Sequence, residues 1–316
     1  MKYLLMFLFV TSSVHAMDIN EFFASDAAQS ICDDSMEFSS TSRREVLKQV
    51  KQFDQSIYFV FNHNSHSELR VFDLKARGEY TVKVDQNIVD IEKSGDQLYV
   101  LTKNYLEIRE SYLGLLKKRI RTLPQNYPMQ RHGHATGLVV KNNKAYISHG
   151  EMGAVIYDLD KEVFENIFFP SLEQPHPEHR SSMTDIAFDG SFFYFSFDNI
   201  TNGQNDRAFE GVMIYDLNQR QVVKTIPVKQ TMEAYSDPSL TIDGEDLYVT
   251  NWFLNFRHNI KKLMSTRTRY MLPDQRIWKY PEGKIVGKGF IKNSTLYGCY
   301  FNHRNNQLKS DSFKLK

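Results

Sequence analysis

The sequence has few of the features that reveal a function at once. Its 316 residues include only 2 cysteines, 2 tryptophans and 9 prolines, and a net charge of +1 shows no excess of either sign. Because the charge is balanced and no long basic stripe is present, the sequence predicts no nucleic-acid partner. The chain also lacks a G-x-S-x-G elbow, a P-loop and a glycine-rich dinucleotide turn, so familiar catalytic motifs are missing.

A single apolar run stands out, and it lies at the N-terminus. Lys2 precedes apolar residues over 3–10, and Val14-His15-Ala16 follows as a cleavage site. This order is typical of a secretory signal peptide. The run is about half the roughly 20 residues that a membrane helix requires. We therefore predict a signal peptide over 1–16, a mature chain without a membrane span, and a periplasmic or secreted location.

Both cysteines, Cys32 and Cys299, lie beyond the predicted signal peptide. An oxidising compartment would permit them to form a disulfide, which would fasten the N-terminal segment to the last part of the chain. Two separate buried thiols are the alternative, because the sequence does not show whether the Cα atoms approach within about 7 Å. The sequence leaves this choice open.

A pattern centred on a tyrosine recurs along the chain, as in QSIYFVFN, SFFYFSFDN and EDLYVTNW. Each copy shows period-two alternation and turn residues, and the copies are about 40 to 55 residues apart, which is the period of propeller blades. We therefore predict an all-β fold, a six-bladed β-propeller of four-stranded antiparallel blades. The tyrosines are Tyr58, Tyr99, Tyr146, Tyr194, Tyr248 and Tyr297.

The ends of the mature chain differ from the repeats. We predict a helical segment over 17–42 and a single propeller domain over 43–316. Asp18 and Glu21 have the spacing of a capping box, which predicts one helix over 17–33 packed on the ring. Few residues follow the last repeat, so we expect a strand from near the N-terminus to complete its blade. The apolar face of the helix comprises Ile19, Phe22, Phe23, Ala27 and Ile31.

Two stretches resemble known repeat families. Leu247 to Asn251 reads LYVTN, and residues 134–160 read HATGLVVKNNKAYISHGEMGAVIYDLD. The chain thus resembles YVTN/LVIVD-type bacterial β-propeller repeat proteins over most of 45–301, although its third strands end in Tyr-Asp-Leu or Phe-Asp-Leu rather than the shorter Val-Asp. The resemblance implies a WD40-like blade architecture. Neither family has one activity, so it implies no catalytic residue.

Polar residues concentrate at one end of the predicted ring, which we call the rim. The rim consists of the connections that enter each first strand and those that join each second and third strand. We expect every histidine beyond His15 to lie on these connections. Hydrogen bonding of loop histidines to hydroxyl or carbonyl groups is the alternative to a ligand site. The candidate ligand-binding residues are Arg131, His132, His134, His149, His176, His179, Arg180, Asn251, Arg267 and Arg269.

Imidazoles beside carboxylates also suggest a metal. Neutral histidine binds transition metals readily, so His132, His134, His149 and His179 are candidate ligands of one divalent ion. Glu151, Asp198 and Asp237 are the candidate catalytic carboxylates. Asp185 could ligate from below the rim, or it could accept hydrogen bonds from backbone amides.

The basic insertion over 251–276, which includes Arg267 and Arg269, could steer an anionic ligand inward; an exposed, merely solubilising element is the alternative. The sequence predicts an exported propeller that binds a small molecule, a glycan or a protein on the rim. The alternative is a metal-dependent hydrolase or lactonase-like enzyme, in which rim residues hold a cation that activates water.

Overall fold

The computed structural model describes residues 16–38, 43–125, 133–150, 152–168, 181–199, 211–227, 239–250, 255–266, 276–278, 283–302 and 304–315. Antiparallel β-structure dominates these residues. The first two strands, β1 (Met36–Phe38) and β2 (Arg43–Glu45), pair only with each other. The strands that follow form larger sheets in sequence order, as neighbouring repeats would.

Four sheets of four strands stand alone among the described residues. One contains β7 (Ile88–Ser94), β8 (Gln97–Thr102), β9 (Tyr105–Glu110) and β10 (Leu116–Arg121). The next contains β11 (Ala135–Lys141), β12 (Lys144–His149), β13 (Gly153–Asp158) and β14 (Val163–Phe168). The third contains β15 (Ser181–Phe188), β16 (Phe192–Asn199), β17 (Gly211–Asp216) and β18 (Gln221–Pro227). The fourth contains β19 (Ser239–Asp243), β20 (Asp246–Thr250), β21 (Asn255–Asn259) and β22 (Arg276–Trp278), with helix α3 (Ile260–Ser265) between its last two strands.

The remaining strands form one sheet of seven. Its first part is β3 (Leu47–Phe53), β4 (Ser56–Asn62), β5 (Ser67–Asp73) and β6 (Gly78–Val84). Its second part is β23 (Gly283–Lys292), β24 (Thr295–Asn302) and β25 (Gln307–Lys314). The predicted count of six separate four-stranded blades is therefore wrong for the described residues, which show four such sheets and this larger one.

A parallel contact between β23 and β3 fuses the two parts of the large sheet. The bridge pairs Lys288 with Gln49. Gly287 permits the approach, because its φ is +68° and an added Cβ would lie 2.6 Å from the Leu47 carbonyl oxygen. This contact joins residues that are far apart in sequence. It is the reason why the predicted count of six separate blades is wrong.

The tyrosine pattern correctly marks the second strand of each group. All six repeat tyrosines lie on β4, β8, β12, β16, β20 or β24, and all are buried. The turn before the strand is tight. Between β11 and β12, for example, Asn142 and Asn143 both have positive φ, the conformation that a two-residue hairpin favours.

The N-terminal helical segment contains two helices rather than the single one predicted, α1 (Ile19–Phe23) and α2 (Asp26–Asp33). The Ser25 side chain accepts a hydrogen bond from the Ala28 amide and so begins a second helix. The predicted capping box of Asp18 and Glu21 is confirmed, with both reciprocal bonds present. The apolar face packs on the ring as expected, where Phe22 and Phe23 join the core of the seven-stranded sheet.

Among the described residues, the last group meets the N-terminal part of the chain through β3, which pairs with β23, and no N-terminal strand pairs with the outer strand β25. The two helices cover β25 instead: Ser310 Oγ donates to the Phe23 carbonyl at 2.9 Å, and Gln29 Nε2 donates to the Leu308 carbonyl at 2.9 Å. A disulfide joins Cys32 on α2 to Cys299 on β24 across a sequence separation of 267 residues. Of the two alternatives that the sequence left open, the structure therefore contains the disulfide.

The first strand of each group faces a common centre. β3, β7, β11, β15, β19 and β23 contact one another in that order, and β23 returns to β3. This closed succession gives the β-propeller arrangement and surrounds a central channel. None of the helices among the described residues is long and apolar enough to cross a membrane.

Candidate ligand-binding site

The central channel is a cavity of about 500 Å³ lined by residues from all six inner strands. Small-molecule sites commonly have volumes of about 300 to 1,000 Å³, so the channel has the size of a ligand site. Charged side chains line it together with backbone and apolar groups. Its charged lining residues include Lys51, Asp90, Glu92, Asp185 and Lys288.

Asp90 and Asp185 link neighbouring inner strands. Asp90 Oδ2 on β7 accepts a hydrogen bond from the Leu138 amide of β11 at 3.0 Å. Asp185 Oδ2 on β15 accepts from the Leu240 amide of β19 at the same distance. Both residues follow a register shift in their strand, and such a bulge re-aims a side chain. These carboxylates therefore satisfy backbone groups of the next sheet.

Asp185 is the residue for which sequence analysis left two roles open, and it accepts from backbone amides. Its carboxylate also receives a bond from Ser239 Oγ at 3.0 Å and lies 3.2 Å from Lys288 Nζ. Gly137 makes room for it, since an added Cβ there would lie 2.7 Å from Asp185 Oδ1. The packing and the bonds together give Asp185 a structural role at the junction of the sheets.

Lys51 carries a second charge network, on the β3 and β7 side of the channel. Its Nζ lies 2.6 Å from Asp90 Oδ1 and 3.8 Å from Glu92 Oε2, and it donates to the Ile91 carbonyl at 2.8 Å. Burial alone would lower the pKa of Lys51, but the Asp90 and Glu92 carboxylates raise it above its usual value. The amine is therefore a fixed cation rather than a nucleophile.

Glu92 is the channel group that titrates near neutrality. Burial raises its pKa to about 7, Lys51 lowers it and the Asp90 carboxylate raises it further. About a quarter of its side chain is exposed. Glu92 can therefore accept a hydrogen bond or, when protonated, donate one to a molecule in the channel.

Two predicted rim residues lie next to each other among the described residues. His149 ends β12 and is fully buried, and its Nδ1 contacts the Gly133 carbonyl oxygen at 3.2 Å. Burial lowers the pKa of His149 to about 4, the Gly133 contact opposes that shift, and nearby His134 adds to it. His149 thus has the carbonyl-bonded arrangement that was the alternative for loop histidines.

The other predicted site residues fall into two sets. Asp198, near the end of β16, is half-buried and pairs in register with Ser182. The rest lie outside the described residues: Arg131, His132, Glu151, His176, His179, Arg180, Asp237, Asn251, Arg267 and Arg269. Among the predicted site residues that the structure describes, His134 and His149 are therefore the two that lie near each other.

Sequence analysis missed the channel charges of Lys51, Asp90, Glu92 and Lys288. A usable signal was present: Asp90 and Asp185 each precede an isoleucine and stand the same distance before a repeat tyrosine, in IVDIEKSGDQLY and MTDIAFDGSFFY. An acidic residue repeated at one position of an inner strand indicates a contact that repeats with the fold. The lysines offer no such pattern, because each occurs in one repeat.

One comparison with a solved structure supports the fold. No protein-family model matches the sequence, and no curated protein is significantly similar to it. The WD40 domain of coronin from Toxoplasma gondii is similar in structure, with a TM-score of 0.50 and 11% identity over 85% of this chain and 73% of that one. The computationally designed Ika8 protein has a TM-score of 0.47 and 8% identity over 85% of this chain and 76% of that one. At such identities the coronin likeness supports a β-propeller and nothing finer.

Proposed function

We propose that this chain is an exported β-propeller, of the kind that the YVTN and LVIVD repeats build, which binds a ligand or partner where the channel opens at the rim. The observation that carries the proposal is a cavity of about 500 Å³ whose charged groups are paired with one another. A rigid ring with a polar, ligand-sized opening suits recognition, because loops on such a scaffold vary without disturbing it.

The described chemistry favours binding over turnover. Lys51 and Lys288 are both in ion pairs, and Asp90 and Asp185 both accept backbone hydrogen bonds. Groups engaged in this way position a polar ligand but offer no activated nucleophile. Glu92 adds a carboxyl that can change protonation near pH 7.

The basic insertion over 251–276 favours an anionic ligand, because its sequence contains six lysines and arginines but only one aspartate. Small molecules, glycans and protein loops with acidic groups are the candidate ligands. Long-range attraction of this kind raises the rate of association and weakens with salt.

Export is supported by two features. The chain begins with a signal-like sequence over 1–16, and the disulfide between Cys32 and Cys299 is typical of an oxidising compartment. Mass spectrometry of the secreted or periplasmic fraction should find a mature N-terminus at Met17. Recovery of only the uncleaved chain with reduced cysteines would refute export.

Binding is tested by thermal-shift screening of the mature protein against neutral and acidic oligosaccharides and peptides, followed by calorimetry at two salt concentrations. Charge reversal of both Arg267 and Arg269 should weaken the acidic hits about tenfold at low salt, with a smaller difference at high salt. Lys83→Glu, on the exposed outer strand β6, is the matched control. Equal binding by wild type, the double variant and the control would show that the rim arginines do not contribute to binding.

The hydrolase alternative predicts a different result. A metal-dependent enzyme should cleave lactone or ester substrates at a rate that a chelator abolishes and added metal restores. His149 does not decide between the two functions, because its Nδ1 contacts the Gly133 carbonyl oxygen while its buried Nε2 has no hydrogen-bond partner.

A further inference from the structure

The turn between β4 and β5 gathers two imidazoles and a carboxylate away from the central channel. The rings of His63 and His66 stack with their centroids 4.8 Å apart, and Glu68 follows on β5. The ligand atoms of these three side chains all lie within 4.8 Å of one another, and within the described part of the chain no other group of histidine, cysteine and acidic residues meets this condition. The three types are ones that zinc prefers.

An orphaned nitrogen points to a missing partner. His63 Nε2 is buried and has no hydrogen-bond partner. It lies 4.0 Å from Glu68 Oε2, too far for a hydrogen bond, and His66 Nε2 lies 4.0 Å from Glu68 Oε1. Buried polar atoms in folded proteins are nearly always satisfied, so an unpaired one calls for an explanation. A cation between these atoms supplies it.

Glu37 supports the same arrangement from behind His63. Its Oε1 lies 3.4 Å from His63 Nδ1, on the opposite side of the ring from Nε2. Metal-binding histidines commonly place their second nitrogen against a carboxylate, which fixes the ring and increases the basicity of the ligating nitrogen. Glu37 therefore orients His63 as a ligand.

The distances are close to those that a bound ion requires. Zinc bonds of about 2.0 to 2.1 Å in tetrahedral geometry separate the ligand atoms by about 3.4 Å. The ligand atoms lie up to 4.8 Å apart, so their separations must shorten by about 0.6 to 1.4 Å, which requires side-chain rotation of His66 and Glu68. The backbone need not move, because the His63 amide already donates to the His66 carbonyl at 2.9 Å.

The surrounding charge leaves room for a cation. Asp34, Glu37 and Glu68 contribute three carboxylates, while Arg70 contacts Asp34 and Glu68 and Arg44 contacts Asn64 of the turn. Lys83 stands opposite Glu68 across β5 and β6, so the three carboxylates face three cationic groups and the local charge is balanced. An added divalent ion would meet no net repulsion from these neighbours.

From this geometry we infer that His63, His66 and Glu68 bind one divalent transition-metal ion, with zinc as the best match, and that Glu37 is a positioning residue. The fourth coordination position is open to water or an anion. Because Glu37 belongs to β1 and the ligands belong to the β4–β5 turn and the start of β5, the ion strengthens the attachment of the N-terminal segment to the sheet. This site does not depend on the proposed ligand at the channel.

The test uses the mature full chain, purified without a histidine tag, dialysed against chelator and then titrated with zinc chloride. Wild type should bind about one equivalent and unfold at a higher temperature with zinc than without. His66→Asn and Glu68→Gln should each lose at least tenfold in zinc affinity while their metal-free unfolding temperatures stay close to wild type. Glu37→Gln should weaken binding about tenfold by releasing the His63 ring.

Glu79→Gln, which removes a carboxylate from the exposed strand β6 of the same sheet, is the matched control and should bind like wild type. Cobalt substitution gives a second readout, since the visible spectrum of the bound ion reports nitrogen ligands and should change in His66→Asn. Failure of wild type to bind zinc overturns the inference. Unchanged affinity in both His66→Asn and Glu68→Gln overturns it too, because the ion would then lie elsewhere.

Discussion

The seam between β23 and β3 and the junctions at β7–β11 and β15–β19 hold the ring together in different ways. At the seam, a backbone bridge, a disulfide and two covering helices act together. At the two junctions, one buried aspartate carboxylate reaches the amide of the next strand. The seam joins segments far apart in sequence, so its closure costs more chain entropy than joining consecutive repeats. The seam, whose closure costs more chain entropy, therefore has more links than the two aspartate junctions.

Removal of the disulfide should have the largest effect, because it breaks the seam. Replacing Cys32 and Cys299 by serine should lower the free energy of unfolding by about 3 to 5 kcal/mol, since the unfolded chain regains the freedom that the bond removes. Urea unfolding measures the loss. Reduced wild type should match the double variant, and an unchanged midpoint after reduction would show that the seam does not need the bond.

Loss of one junction carboxylate should have the next largest effect. Asp185→Ala leaves the Leu240 amide, the Ser239 hydroxyl and the Lys288 ammonium without their acceptor, at a cost of about 3 kcal/mol. Asp90→Ala is the matched variant at the other junction and should cost a similar amount. Adding Lys288→Met to Asp185→Ala should recover part of the loss. An additive double variant would contradict the proposed coupling.

Acid should weaken the boundary between the sheets of β7–β10 and β11–β14, where His149 lies against the Gly133 carbonyl that leads into β11. A folded pKa of about 4, below the ordinary 6.5, means that the unfolded chain takes up the proton first. The stability from neutral His149 is complete above about pH 6.5 and lost as the pH falls toward 4. Between pH 7 and pH 5 wild type should lose about 2 kcal/mol from this group. In His149→Gln, the free energy of unfolding should lack this part of its pH dependence, whatever the stability of the variant at pH 7.

Glu92 should show the smallest effect, with the opposite sign. Its pKa of about 7 exceeds the ordinary 4.5, so its protonated form favours folding, and that contribution is lost as the pH rises from about 4.5 to 7. Glu92→Gln should therefore be more stable than wild type at pH 8 by about 1 kcal/mol, after allowance for partial exposure, and equal to it near pH 4. Thermal unfolding at both pH values measures the difference, and an equal gain at both would exclude titration of Glu92 as its cause.

The sequence predicted what depends on neighbouring residues. The tyrosine strands, the capping box of Asp18 and the apolar face of the helices follow from local pattern, and each agrees with the structure. The pairing of Lys288 with Gln49 depends on backbone proximity across the whole ring. The contact of buried His149 with the Gly133 carbonyl likewise depends on a loop that precedes β11. The position of His149 after a repeat tyrosine predicted that it lies near the rim, but not which way its side chain faces.

The bond between Cys32 and Cys299 closes most of the chain into a covalent loop. A protease that cuts once at any exposed connection between them releases no fragment, because both pieces remain tethered at the same two sulfur atoms. Such a nicked molecule separates into two polypeptides only after reduction. A single cut in this loop therefore leaves both pieces covalently joined until the disulfide is reduced.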